Sequence, residues 1–233
     1  MENIYDLSDL EMLARDCLTR AGVRDVTARI VAHDVALAEA TGDSESGFAA
    51  LLRDIRLIRY GRLYPDAEVQ ISTPAPAIVR VNGGHGFGAV ALGRGVASLI
   101  GAARTQGMAM LHLTRASDPG AMAGTMTELA MAGLAALSVR THGQAFAIRP
   151  GNQQIAPLDG GAHGMLSALL SLTPPPTDSP LGGPVTQSAW LMAIDPALTA
   201  AEELMAQLPV LDVMPNSGGI ALAPELLAQI VNA

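Results

Sequence analysis

The chain has 233 residues, 49% of them hydrophobic and only 3% aromatic, enough apolar side chain to fill one substantial core or two small ones. A formal charge of −8, with every cation an arginine and no lysine, repels phosphate backbones and argues against nucleic acid as a partner. The single cysteine, Cys17, excludes an internal disulfide and a cysteine zinc site, and reads as a reduced core residue.

Met1-Glu2-Asn3 shows no basic start followed by an apolar run, so no secretory signal is expected. Ser8-Asp9-Leu10-Glu11 has capping-box spacing ahead of a helix that Gly22 stops. A second helix is expected from Asp25 to Gly42 and a third from about Phe48 to Tyr60. Along the third, Arg53, Arg56, Arg59 and Arg62 recur every three residues. The ordinary reading is a solvated or salt-bridged face, with Arg53 the member nearest a candidate site.

After "LYPD" the periodicity shifts to short apolar runs between Ala-rich helices. Strands are expected at 77–81, 108–114 and 135–140, and helices at 90–104 and 121–132. Residues 142–188 are punctuated by Pro174-Pro175-Pro176 and Gly182-Gly183-Pro184 around a possible helix at 164–172. The longest nearly uncharged stretch, 150–194, broken only by Asp159 and Asp178, is full of proline and glycine and could not span a bilayer as a helix. A strand "AWLMAID" and helices at about 199–207 and 223–231 close the chain. The protein is therefore expected in the cytoplasm, with no membrane association.

Gly83, Gly84, Gly86 and Gly88 follow the strand that ends at Val81. Gly86-Phe87-Gly88-Ala89-Val90-Ala91 approximates a dinucleotide fingerprint, but no acidic residue stands about twenty positions on, where the ribose would need one. The glycines read better as a tight strand-to-helix turn.

Longer segments carry more. "TGDSESGFAALLRDIRLIRYGRLYPDA" resembles G-V-D-S-H-G-V-x-R-L-x-x-Y-x-x-x-L-x-x-G-x-I-N-P of the malate/L-lactate dehydrogenase-like oxidoreductases. "VNGGHGFGAVALGRGVASLIGAARTQGMAML", "TRASDPGAMAGTMTELAMAGLAALSV", "APLDGGAHGMLSALLSL" and the closing "AWLMAIDPAL" and "MPNSGGIALAPELLAQI" are similar to later family segments in the same order. The resemblance implies an α/β protein of a non-Rossmann fold. It has a helical unit from both termini (1–70 with 196–233) and a mainly antiparallel sheet domain flanked by helices (71–195), shortened around 145–165. It also implies an active site at a subunit interface, hence a homodimer, with pairing to an intact relative a further option.

The same resemblance locates the departures. The family's acid histidine falls at Ser46, and the arginine that grips the substrate carboxylate falls at Ala50. A serine hydroxyl is no proton donor near neutral pH, and alanine holds no carboxylate. A second histidine, near cofactor and substrate, falls at Asp118, an anion that disfavours a carboxylate substrate or a pyrophosphate unless protonated or paired. The family's lysine falls at Ala162 or His163, and five residues, "NQQIA", replace a long cofactor-side segment.

These five losses lead to the expectation of a protein that keeps the fold and has lost hydride transfer. It would use no cofactor and bind a small carboxylate-like ligand or a partner chain. One alternative is a surviving NAD(P)H-dependent oxidoreductase of an unusual keto or cyclic imino acid. The other is a non-redox isomerase or dehydratase with Asp118, His142 and His163 as its acid/base set. No histidine pair has metal-ligand spacing, so no metal is expected.

Overall fold

The computed structural model describes residues 4–120, 122–140, 145–152, 155–158, 187–199 and 219–233. A short strand β1 (Ile4–Tyr5) leads into three helices, α1 (Leu7–Arg20), α2 (Asp25–Ala40) and α3 (Phe48–Arg59). The box that starts α1 lies two residues earlier than the sequence suggests. Asp6 Oδ1 accepts from the Asp9 backbone N–H at 2.8 Å, and Asp9 Oδ2 accepts from the Asp6 N–H at 3.3 Å. A carboxylate at the N-cap and another at N3 serve as well as the Ser/Glu pair read from the sequence.

Leu10, Ala14, Cys17 and Leu18 form the buried stripe of α1. They pack with Val31 and Val35 of α2, Leu51 and Ile55 of α3, and Ile230 of the final helix. Cys17 is a core residue, as its position on the stripe requires.

The sheet comprises β2 (Gln70–Ala75), β3 (Ile78–Gly86), β4 (Met108–Ala116), β5 (Ala135–Arg140), β6 (Phe146–Ile148), β7 (Ala156–Pro157) and β8 (Gln187–Ile194). Their spatial order is β2-β3-β4-β8-β5-β6-β7. Among the described residues only the β3–β4 pairing is parallel, so the sheet is mainly antiparallel. The single parallel step is the one that α4 (Gly88–Gln106) bridges, as a parallel connection requires.

Helix α4 lies against β3 and β4 because Gly95 carries no side chain. A Cβ there would stand 2.6 Å from Val81 Cγ2 and 2.8 Å from Leu111 Cδ1. With α5 (Ala123–Met131), it buries Leu92, Val96, Leu99, Met126 and Leu129 against Val81, Leu111, Leu113 and Leu191. A short helix α6 (Pro196–Thr199), a strand β9 (Ile220–Ala221) paired antiparallel with β1, and helix α7 (Pro224–Val231) complete the described chain. The expected helices at 164–172 and over most of 199–207 lie outside the described residues. No helix among the described residues is long and apolar enough to cross a membrane.

Candidate active site

Ser46 sits in the loop between α2 and α3, and that loop is held by Glu39. The Glu39 Oε1 accepts from the Phe48 backbone N–H at 2.7 Å, and its Oε2 accepts from the Ser44 hydroxyl at 3.2 Å. Gly47, at the N-cap of α3, makes no side-chain cap. A carboxylate on the preceding helix therefore satisfies the first N–H of α3. Burial pushes the Glu39 carboxyl above its ordinary range, against the two hydrogen bonds that favour its ionised form.

Asp118 lies in the loop that follows β4. Its Oδ1 accepts from the Gly120 N–H at 3.0 Å, an Asx turn. The glycine turn fastens this loop from below, with the Ser117 N–H donating to Gly86 O at 2.9 Å and the Gly88 N–H to Ser117 Oγ at 3.3 Å. A Cβ on Gly88 would stand 2.5 Å from Ser117 O and 2.8 Å from Pro119 Cα. Of the four glycines, only Gly84 takes a positive φ, at 60°. The others are needed for close approach, and protein fills the space beside Gly86 and Gly88. Gly83, Gly84 and Gly86 thus lie in the irregular end of β3, where the pairing with β4 shifts register, rather than in the expected turn, and with Gly88 at the start of α4 they pack against the Asp118 loop.

Arg140, the last residue of β5, joins the two loops. Its Nη1 donates to Ser46 Oγ at 2.7 Å and to Asp118 Oδ1 at 3.3 Å. Its Nη2 donates to Asp43 Oδ2 at 3.1 Å, and the residue is 3% exposed. From α3, Arg53 brings its Nη2 to 3.8 Å from Asp118 Oδ2 and its Nε to 4.0 Å from Asp54 Oδ1. Arg53 Nη2 and Asp54 Oδ1 are buried, and neither has a hydrogen-bond partner among the described residues. Burial pushes Asp54 up to about 7; the Asp118 charge adds to this, while Arg53 and a hydrogen bond with Ser117 oppose it.

Ser46, Asp118 and Arg53, expected from the sequence, thus meet in one buried cluster. Asp118 is paired, which removes the objection to an anion at that position. Ala50 is buried on α3 and offers no polar group. Arg53 and Asp54 follow it by three and four residues, one helical turn along the same face. His142, Ala162 and His163 lie outside the described residues. Arg140 and Asp54 were not anticipated. A charged residue ending the otherwise apolar run "AALSVR" was the available signal for Arg140. Among the described residues no group of His, Cys, Asp and Glu is placed to hold a metal.

Residues 5–159 match the family model described as malate/L-lactate dehydrogenase. The chain is 31% identical over 130 residues to a Delta(1)-pyrroline-2-carboxylate reductase of Ancylobacter novellus, a match that covers 56% of this chain and 38% of that protein. It is 28% identical over 138 residues to a (2R)-3-sulfolactate dehydrogenase (NADP(+)) of Chromohalobacter salexigens, covering 59% and 41%. The matches thus span about two fifths of these relatives' length. Among solved structures, it follows a dehydrogenase from Sinorhizobium meliloti with a TM-score of 0.74 at 19% identity, covering 100% of this chain and 99% of that one. It follows a delta1-piperideine-2-carboxylate reductase from Pseudomonas syringae pvar. tomato with a TM-score of 0.69 at 18% identity, covering 99% of each.

These relatives overturn two expectations, that hydride transfer has been lost and that no cofactor is used. They are named as reductases and a dehydrogenase, and one carries NADP(+) in its name. Those expectations rested on the residue types at single positions; in the structure Arg53, one turn on from Ala50 in α3, and Arg140 at the end of β5 both bring guanidinium groups to Asp118. With the family model running unbroken from the first strand to beyond β7, and the backbone tracing the same fold as those dehydrogenase structures, the chain belongs to the malate/L-lactate dehydrogenase family.

Proposed function

We propose that this protein is an NAD(P)H-dependent oxidoreductase that reduces the C=N bond of a small cyclic imino acid, or the C=O bond of the related 2-keto acid. The observation that carries the reading is the buried cluster of Ser46, Asp118, Arg140 and Arg53. It holds Ser46, where the family resemblance puts the acid, and brings Arg53 in from one turn beyond Ala50, where the resemblance puts the carboxylate grip. Relatives named as pyrroline-2-carboxylate and piperideine-2-carboxylate reductases support it.

The residues present divide the work in a consistent way. Arg53 Nη2, buried and without a hydrogen-bond partner among the described residues, is a donor for a substrate carboxylate. Ser46 Oγ accepts from Arg140, so its own O–H is directed elsewhere and can donate to the substrate's nitrogen or oxygen. An imine nitrogen is far more basic than a carbonyl oxygen and takes its proton readily from water, so serine in place of an imidazole acid is least costly for C=N reduction. A bound reduced nicotinamide supplies the hydride. The reading also puts the protein in the cytoplasm, as a homodimer.

The direct test follows absorbance at 340 nm with NADPH or NADH and either Delta(1)-pyrroline-2-carboxylate or Delta(1)-piperideine-2-carboxylate. Substrate-dependent, saturable loss of absorbance is expected. Folded protein that oxidises neither nucleotide with these acids or with 2-keto acids would sink the reading.

A further inference from the structure

Among the described residues the cluster has more carboxylates than cations. Asp43, Asp54 and Asp118 face two guanidinium groups, Arg53 and Arg140, and all five are mostly buried. A substrate carboxylate entering beside Arg53 would be a second excess anion. Uncompensated buried charge costs several kcal/mol, and such groups neutralise by taking a proton.

We infer that a carboxylate ligand enters this site together with a proton, and that Asp54 is the residue that takes it up. This deepens the proposed function, since it rests on the cluster being the carboxylate site. The other two aspartates are bound to cations: Asp43 to Arg140 at 3.1 Å, and Asp118 to Arg140 at 3.3 Å with Arg53 at 3.8 Å. Among the described residues the one cation near Asp54 is Arg53, with Nε at 4.0 Å; besides a hydrogen bond with Ser117 its carboxylate has little support, and its Oδ1 has no hydrogen-bond partner. It is therefore the carboxylate that a proton reaches at least cost.

The groups that bear on Asp54 are few. Arg53 of α3 favours its charged form, as does the Ser117 hydrogen bond from the loop after β4, and Asp118 of the same loop favours the neutral form. Arg140 of β5 acts through Asp118, and Asp43 acts through Arg140. Glu39 lies behind Asp43 and adds a further carboxylate on that side. A ligand carboxylate at Arg53 takes over the one cation that lowers Asp54 and adds a like charge. Both changes favour the protonated form. Asp54 already titrates at about 7 without ligand, so above that pH the uptake is nearly a whole proton per ligand.

The test is isothermal titration calorimetry of the full chain with pyrrole-2-carboxylate, a planar, non-reducible anion whose ring nitrogen does not take a proton. Titrations run at pH 8 and pH 6, each in two buffers of different ionisation enthalpy. The expected result is a buffer-dependent heat at pH 8 equal to uptake of nearly one proton, shrinking toward zero at pH 6. The dissociation constant should rise about tenfold per pH unit above 7. Asp54→Asn should bind the ligand without proton uptake. Binding with buffer-independent heat at pH 8 overturns the inference and leaves the carboxylate site standing. Uptake by Asp54→Asn equal to the wild type also overturns it. No binding at all removes the site and the inference together. If Asp54→Asn does not fold, the wild-type heats at the two pH values decide alone.

Discussion

Arg140 Nη1 lies 2.7 Å from Ser46 Oγ, although 94 positions separate the two residues in the chain. The same guanidinium holds Asp43 and Asp118, so one side chain on the sheet fixes both loops of the site.

Replacing Arg140 should therefore cost far more than a surface arginine. Arg140→Met leaves Asp43 and Asp118 buried without their shared cation, and breaking a buried pair costs about 3–5 kcal/mol. The urea midpoint should fall accordingly, while Arg62→Met, exposed on the loop after α3, should change it by less than about 0.5 kcal/mol. Equal effects in the two variants would show that Arg140 is not the clasp.

Arg53→Gln should separate binding from folding. A hydrogen bond to a charged group contributes about 1.5–3 kcal/mol, so KM for the acid substrate should rise about 10- to 100-fold, with a much smaller change in kcat. Steady-state kinetics with saturating nucleotide reads this directly. An unchanged KM would move the carboxylate contact to another residue.

Gly88→Ala tests the turn. The added Cβ would meet backbone at 2.5 Å and 2.8 Å in Ser117 and Pro119, and neither can swing aside as a side-chain end would. The variant should lose about 1–3 kcal/mol of stability and most of its activity, because the displaced loop carries Asp118. Gly93→Ala in the same helix, where a Cβ meets nothing within 4 Å, should be neutral or slightly stabilising. Thermal melts of the pair decide it.

Burial lifts Asp54 to about 7 and Asp34 to about 6, above the value of about 4 for a carboxylate in an unfolded chain. The folded state thus holds these protons more tightly. The stability they contribute is complete below about pH 4 and is lost as pH rises through 6 and 7. Asp6 and Asp25, whose pKa values are lowered by hydrogen bonds from the Asp9 backbone and from Arg29, titrate below this window. The Asp54 contribution should fall by about 2 kcal/mol on going from pH 5.5 to 7.5, opposed by His112, whose pKa burial lowers and whose contribution therefore grows over the same range. Urea denaturation of Asp54→Asn should show that much less dependence; an identical slope would remove Asp54 as the cause.

The helices were legible wherever one face is buried. Asp25–Ala40 and Phe48–Arg59 stand within two residues of the apolar periodicity. Strand β2 was missed because all six of its residues are exposed and one is proline, so it has no alternation to read. Ser46 and Asp118 could be named from the sequence one at a time, but not the contacts that join them. What pairs with Asp118 comes from the end of β5 and from α3, and such pairing is set by sheet order. Nothing local to Asp118 reveals it.

The position of β8 has a consequence for how the chain reaches this state. It lies between β4 and β5, pairing with both, yet it follows β5 by almost fifty residues. On the ribosome, β4 and β5 must wait with open edges until residues 187–194 emerge, and closing so long a loop is slow. A nascent or truncated chain ending before Gln187 would expose two apolar strand edges in the middle of its sheet. Synthesis of β8, rather than of the site residues that precede it, should be the step that closes these edges against aggregation.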